Sequence, residues 1–423
     1  MTKIVYLIII PEWRHHLWHS LIQNKASHRF VFSVDEEMCG APKAFYPFAG
    51  YVIDSRFNTR PNDLITVYLP SPSHSSRLFF PPRQILPRHD GNFIKNRPKP
   101  HLNAQWFLEW GRELPPKLLS DVVTGITTGF PTQYRGGGDF VRDYASPMGE
   151  EEEIKATEKA SDSVTKGWAA GPFDFPPFPT SFCNKQPIIT KSFTIPKHKW
   201  NNDGALRLIF HKSFPLGHSI NSLTPRHDAA SYFPKGWFKY FNIARLLSII
   251  AKAGEGCLLT QFDARDAYKQ LLVILKDLNQ QVFKAGGKYF IDFCASFGSV
   301  YGNDAYSTFA YAHCFCLSRA ADCPLLSYYV DNYVNVTPFT GKTTWVRAMI
   351  QRLALIRELK RSGLMYHQLE GPTTQITFLG WDIDTKLMTV SITKTRQTFI
   401  IEFLYGWREK ISFSIADLSS LIE

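Results

Sequence analysis

Two short runs hold residues whose types and spacing could do chemistry: Gln261-Phe-Asp-Ala-Arg-Asp-Ala-Tyr-Lys-Gln270 and, further along, Tyr328-Tyr-Val-Asp-Asn332. In each, an acidic residue follows an apolar, β-prone stretch, Leu258-Leu259 before the first and Leu325 to Val330 before the second. Such stretches read as buried strands that deliver Asp263 and Asp331 to their exposed ends. A single aspartate after a strand is usually a turn or a helix cap. Two on neighbouring strand ends can share two divalent cations and so clamp both the attacking and the leaving oxygen of a phosphoryl transfer.

Composition narrows the partners. The chain has 423 residues, 44% hydrophobic and 14% aromatic, enough for a large core and more than one lobe. A net charge of +11 and a pI near 9.2 point to a polyanion, nucleic acid or an acidic membrane surface. The charge is concentrated: between Lys185 and Arg245 ten Lys/Arg stand against two Asp, and ten minus two leaves +8 of the +11. The seven cysteines show neither paired zinc-ligand spacing nor a dense disulfide framework, so buried thiols in a reducing, intracellular compartment (cytoplasm or nucleus) account for them. The opening run Lys3 to Ile10 is too short to cross a bilayer, meets Pro11 at once and lacks a small-residue cleavage site. It reads as a strand, and no membrane partner is expected. His15, His16 and His19 could share one side of a helical turn, but ordinary surface histidines explain them. Residues 1–105 form a region of unassigned fold, with weak strand signals at Arg29 to Val34 and Leu64 to Leu69.

The elements that must position the aspartates can be taken in order. Residues 106–170 are a helical lead-in: Trp106, Phe107, Trp110, Leu114 and Leu118 recur at helical spacing, and Glu150 to Glu153 open a helix that Gly167 closes. Between them, the Gly-rich loop Gln133 to Gly138 lacks the Gly-Lys-Ser/Thr ending of a phosphate cradle. Gly171 to Phe178 is extended and proline-stiffened. Ser192 to Pro196 and Leu206 to His211 pair across the turn Asn201-Asn-Asp-Gly204, a hairpin whose Lys197, Lys199 and Arg207 suit a triphosphate. Gly236 to Gly254 reads as an amphipathic helix. After Asp263, Gln280 to Ala285 and Lys288 to Phe293 pair across Gly286-Gly287, and Phe297-Gly298 precedes a long helix ending near Ala321. Thr343 to Gly363 is a further helix, and Ile376 to Asp384 with Leu387 to Ile392 a last hairpin. A sheet with two acidic strand ends, helices on one face and a basic finger above it is an α+β arrangement.

In this order the residues resemble a reverse transcriptase, most like that of the DIRS-type retroelements, which integrate by a tyrosine recombinase. The resemblance spans Gly171 to Ile392. It runs through Gly171-Pro-Phe173, Arg207-Leu-Ile209 with Ser213, Pro215 and Ser219-Ile-Asn221, then Phe262-Asp-Ala-Arg-Asp-Ala-Tyr268, Phe297-Gly298, Tyr329-Val-Asp-Asn332, Glu370-Gly-Pro372 and Phe378-Leu-Gly380. It implies an RNA-directed DNA polymerase of a mobile element. Residues 171–392 would be the fingers and palm of a right-hand polymerase, with an N-terminal extension before them and a truncated thumb starting in 393–423.

What the family's motifs imply for single positions follows. Asp263, Asp331 and the carbonyl of Ala264 would hold two Mg²⁺ ions, or Mn²⁺ in their place, with Asn332 completing the catalytic set. Lys197 and Arg207 would grip the incoming triphosphate. Tyr268 would pack under the sugar and leave no room for a 2′-hydroxyl, beside Phe297 and Gly298. Phe378, Leu379 and Gly380 would form the primer grip. The implied partners are an RNA template, a DNA primer or RNA/DNA hybrid, and deoxynucleoside triphosphates. The chain departs from the pattern at Asn332, where the family has Asp, at Gln368, where it has a proton-donating Lys, and at Ser296, where it has Pro. The family's Ser-Pro is also absent from Ser299 to Asp304. These departures keep a second reading open, a catalytically inactive nucleic-acid-binding relic. A third, a viral RNA-dependent RNA polymerase, fits Asn332 but not Tyr268.

Overall fold

The structure, a computed structural model, describes residues 6–11, 28–32, 48–53, 92–137, 142–143, 149–177, 183, 185–196, 206–215 and 217–408. The chain divides into two compact units, Met1–Phe79 and Phe80–Glu423, so residues 92–105 belong with the second. In the first, the apolar run after Lys3 is strand β1 (Tyr6–Pro11), joined by β2 (His28–Phe32) and β3 (Phe48–Ile53) in an antiparallel sheet of order β1-β3-β2. The expected strand at Leu64 to Leu69 and His15, His16 and His19 lie outside the described residues.

The second unit opens with α1 (Ala104–Trp110), capped by the Asn103 side chain, which accepts from the N–H groups of Gln105 and Trp106. Helix α2 (Pro116–Thr128) starts on a proline that has no N–H to leave unpaired, and buries Leu118, Val122 and Ile126. Helix α3 (Glu150–Thr165) gathers its glutamates in the first turn, where the helix dipole favours them. Its Ala156 and Ala160 pack on Phe210, Phe283 and Phe290 of a mixed sheet. That sheet comprises β4 (Arg142–Asp143), β5 (Ala169–Phe173), β6 (Ile188–Pro196), β7 (Leu206–Phe210), β9 (Val282–Ala285) and β10 (Lys288–Asp292), in the order β4-β6-β9-β10-β5 with β7 on β6. The β6–β7 hairpin runs from Ser192 opposite Phe210 to Pro196 opposite Leu206. Its tip, with Lys197, Lys199 and Asn201 to Gly204, lies outside the described residues.

The sheet that bears the aspartates is antiparallel, β11 (Leu326–Tyr329), β12 (Asn332–Thr337), β8 (Leu258–Asp263) and β13 (Glu370–Thr373) side by side. Its alternating side chains divide the labour. Phe262, Tyr333, Asn335 and Thr337 face helices α5 (Val300–Ala320) and α6 (Thr344–Ser362). There the Phe262 and Tyr333 rings stack at 4.6 Å, and Asn335 and Thr337 both donate to Gln351 Oε1. Leu259, Val334 and Val336 point the other way, against α4 (Ile243–Ala253) and Ile376, Phe378 and Ile383. The expectation of helices on one face is corrected here: α4 and a hairpin cover the second face, and Asp263 and Asn332 sit past the end of that cover.

Sequence and structure differ at other elements. Tyr328 to Asn332 does not end a strand; β11 stops at Tyr329, the chain turns through Val330 and Asp331, and the unforeseen β12 returns antiparallel. Val330 has φ 53°, a conformation that a β-branched residue rarely adopts, so nothing in its type announces a turn. Ile376 to Asp384 is two strands, β14 (Gln375–Phe378) and β15 (Trp381–Asp384), with β16 (Thr389–Ile392) as a third. Leu379 and Gly380 both take positive φ, 51° and 77°, as a tight hairpin turn requires. The helix expected from Gly236 begins only at Ile243, because the Asn242 side chain caps the Arg245 N–H. Helix α7 (Lys394–Arg408) closes the described chain, and no described helix is long and apolar enough to cross a membrane. The Phe262–Tyr333 stack joins the two site strands from behind. We expect Phe262→Ala to lower stability by about 3–5 kcal/mol, read as a fall in the urea midpoint.

Candidate active site

Asp263 is the last residue of β8 and faces Asn332, the first of β12, across the sheet. Asp331 precedes Asn332 in the turn, and its carbonyl accepts the N–H of Ala264 at 2.9 Å. One backbone hydrogen bond thus fastens the residue after the first carboxylate to the residue bearing the second. The Asn332 amide donates from Nδ2 to Asp331 Oδ1 at 3.0 Å. Burial pushes the Asp331 carboxyl above its ordinary range; its own backbone N–H, the Arg207 guanidinium and the Asn332 amide oppose that without cancelling it. The Asp263 side chain is 44% exposed, so the pair has one half-buried and one open member. The site offers oxygen donors, the two carboxylates with the Ala264 carbonyl and the Asn332 amide oxygen, and His367 Nε2 stands 4.0 Å from Asp263 Oδ2. Such a set suits a hard cation, which binds through one or two carboxylates together with substrate phosphates. Among the described residues no group of three or more His, Cys, Asp or Glu could hold a metal.

Beside the carboxylates runs a ladder of rings. The Arg207 guanidinium lies over Phe297 at 4.6 Å, Phe297 lies 4.6 Å from Tyr268, and Tyr268 stacks on Tyr306 at 5.2 Å. The short turn Ala267–Gln270 brings Tyr268 back toward the end of β8, where its hydroxyl donates to Asn303 Oδ1 at 3.1 Å. Burial first, then the Asp331 charge, pushes that phenol up to about 12, so it is a donor at any working pH. Gly298 has φ 88°, and a Cβ there would meet the Phe210 carbonyl at 2.4 Å; only glycine lets this loop approach β7 so closely.

The structure therefore brings Asp263, Ala264, Asp331, Asn332, Arg207, Tyr268, Phe297 and Gly298 into one neighbourhood. Lys197 lies outside the described residues. Phe378 is buried with α4 against the sheet, while Leu379 and Gly380 form a turn whose carbonyls accept from Arg396 Nη1 at 3.1 Å and from the Thr393 N–H at 3.2 Å. Gln368 is exposed. Some neighbours were not legible in the sequence. The N–H of His367 donates to the Asp263 carbonyl at 2.8 Å, and its Nε2 stands 4.0 Å from Asp263 Oδ2. Asn221 brackets the glycine loop, donating to the Gly298 carbonyl at 2.7 Å and accepting from the Val300 N–H at 2.9 Å. Asn221 falls within the Ser219-Ile-Asn221 motif of the resemblance, though nothing there shows its bonds to the loop, while His367 belongs to no pattern that could have marked it.

No protein-family model matches the chain, and no curated protein matches it in sequence. Solved structures similar to it include the foamy viral protease-reverse transcriptase dRH with ds DNA, at 15% identity and TM-score 0.46, over 69% of this chain and 43% of that one. The foamy viral protease-reverse transcriptase with an RNA/DNA hybrid matches at 14% identity and TM-score 0.44, over 80% and 40%. The native prototype foamy virus protease-reverse transcriptase matches at 13% and 0.42, over 69% and 35%. The chain spans less than half the length of each of these proteins. Likenesses of this size leave its chemistry to be read from its own geometry.

Placing a methyl group at Gly298 forces either the loop or β7 to move. Gly298→Ala is expected to cost about 1–3 kcal/mol through strain at a positive φ, measured as a lowered melting temperature with the overall fold retained by circular dichroism.

Proposed function

We propose that this chain is an RNA-directed DNA polymerase domain, in which residues 171–392 act as fingers and palm. The observation that carries the reading is the register of β8 on β12. It sets Asp263 against Asn332, with Asp331 in the adjoining turn and tied to Ala264 through the backbone. Oxygen donors gathered at a sheet end, with a half-buried carboxylate left above its ordinary range, fit two Mg²⁺ ions held by Asp263, Asp331 and the Ala264 carbonyl. When bound, such ions activate the primer 3′-hydroxyl and stabilise the leaving pyrophosphate.

The chain's own residues do the remaining work. Arg207 offers a planar fork to the triphosphate, held in place by the Phe297 ring beneath it. Lys197 of the same hairpin would add a second cation. The Tyr268 ring, pinned by Asn303 and Tyr306, fills the space where a 2′-hydroxyl would sit, which selects deoxynucleotides and speaks against an RNA polymerase. The Leu379–Gly380 turn would steady the primer end. RNA template, DNA primer or hybrid, and deoxynucleoside triphosphates are the partners this reading requires. The resemblance of Gly171 to Ile392 to the DIRS-type reverse transcriptases stands behind the choice of template.

One observation favours the second reading, a binding-only relic. Asn332 contributes an amide where a further carboxylate would add charge, and that amide already donates to Asp331 Oδ1. Primer extension on an RNA template, with Mg²⁺ and then Mn²⁺, separates the two readings. Wild type is expected to extend and Asp263→Ala to bind primer–template without extending; equal extension by both would overturn the metal role of Asp263. Asn332→Asp places a carboxylate next to Asp331 and opposite Asp263, so without cations it should melt lower than wild type and gain more stability on adding Mg²⁺. Binding without extension in both wild type and Asn332→Asp would establish the relic. Tyr268→Ala is expected to raise ribonucleotide incorporation relative to deoxynucleotide, and an unchanged sugar preference would remove Tyr268 from that role.

A further inference from the structure

Directly behind the Phe297–Gly298 loop lies a lysine that no catalytic step uses. Lys212, just past the end of β7, is 1% exposed. Its ammonium donates to the Gln280 carbonyl at 3.0 Å, to Gln281 Oε1 at 2.9 Å and to the Tyr301 hydroxyl at 3.2 Å. The Tyr301 hydroxyl is shared further, accepting from Gln281 Nε2 and bonding Ser296 Oγ at 3.1 Å. Ser299 Oγ then donates to the Ser296 carbonyl at 2.6 Å and caps α5 by accepting the Gly302 N–H. The other end of Lys212 reaches the same loop: its carbonyl accepts the Asn221 N–H at 2.9 Å, and Asn221 is the side chain that brackets Gly298 and Val300.

Both flanks of one loop are therefore anchored on one residue. Burying an ammonium among neutral acceptors is an expensive way to do this, since desolvating a cation costs several kcal/mol and an apolar side chain would pack with no such penalty. We propose that Lys212 is a positioning residue: through Tyr301–Ser296 on one side and Asn221 on the other, it sets the height of the Phe297–Gly298 loop. Phe297, carrying Arg207 above and Tyr268 beside it, is thereby fixed for the incoming nucleotide. The inference rests on the polymerase reading for its purpose, but not for its mechanics.

The ammonium's charge state supplies a signature. Facing it are Tyr301 from α5, Gln280 and Gln281 ahead of β9, Asp292 from β10 paired to Lys269, and the Phe210 ring of β7. Burial pulls Lys212 down to about 7, with Asp292 opposing and Lys269 reinforcing the shift. A neutral amine keeps two N–H groups and can serve only two of the three acceptors, so the loop should loosen as pH rises through that value. Stability should move the opposite way. The folded state holds its Lys212 proton less tightly than the unfolded chain does, so unfolding becomes harder as pH rises from about 7 toward the ordinary lysine value.

The test compares wild type with Lys212→Met, close in length and apolar, and with Tyr301→Phe, which keeps the ring and removes the acceptor. Amide hydrogen exchange on the full chain is read first. Both variants are expected to speed exchange at Ser299, Val300 and Gly302 by about tenfold, with the β8–β12 amides unchanged. Steady-state extension is read second: Lys212→Met should raise the nucleotide KM by about tenfold while kcat stays within about threefold. In wild type the KM and the melting temperature should both rise between about pH 6.5 and 8.5, a paired trend that Lys212→Met abolishes. Unchanged loop exchange in both variants overturns the positioning role, whatever the chain's activity. Faster loop exchange in a wild-type background that never extends a primer supports the anchoring and counts against the polymerase reading alone.

Discussion

The register between β8 and β12 is the constraint on which the rest depends. Side chains along a strand alternate between faces, so a slip of a single residue would turn Asp263 and Asn332 toward the helices and Phe262 and Tyr333 toward solvent. The stacked Phe262–Tyr333 rings penalise that slip from one face; Leu259, Val334 and Val336 penalise it from the other. Beyond the last paired residue, the Ala264 N–H continues the same ladder to the Asp331 carbonyl. The polar groups at the sheet end are therefore placed by apolar packing deeper in the sheet. Neither carboxylate has to find the other by mutual attraction, which like charges do not provide.

Much of this was legible because it depends on periodicity. Buried strands, long amphipathic helices and glycine turns leave patterns, and Leu258 to Asp263, the β9–β10 hairpin at Gly286-Gly287 and the helix ending at Gly363 came out close to where the sequence put them. What escaped was held by single side-chain bonds or by backbone set against residue type. Val330 turns at a φ its β-branch disfavours, and Leu379 shares a two-residue turn that an apolar run conceals. His367 and Lys212 make hydrogen bonds to backbone groups far away in the chain, and no local spacing encodes those. The departures at Asn332 and Ser296 were visible, yet their surroundings were not. Ser296 turns out to be fully buried and bonded to Tyr301 in the network beneath the loop.

Several buried polar groups cross-link the elements of the chain. Gln351 accepts from Asn335 and Thr337 and donates to the Asp322 carbonyl, locking α6 to the helix-facing side of the sheet. Trp106 Nε1 donates to Glu358, whose carboxylate also meets Arg357 and Arg361, joining α1 to α6. His313, buried without charge well below its ordinary range, meets the Ser362 hydroxyl with Nε2. None of these pairs uses Asp263, Asp331 or Asn332 as a partner. The framework is thus rigid by polar cross-links that do not compete for the groups at its mouth.

The strand order also gives the two aspartates unequal mechanical support. Asp263 ends a strand with neighbours on both sides, and its carbonyl is held by the His367 N–H on the flank away from β12. Asp331 sits at the tip of a hairpin whose outer strand, β11, has no neighbour beyond it among the described residues, and Val330 at that tip is exposed. Beyond the last β8–β12 pair, the bond from the Ala264 N–H to the Asp331 carbonyl is what ties that tip to the better-supported strand.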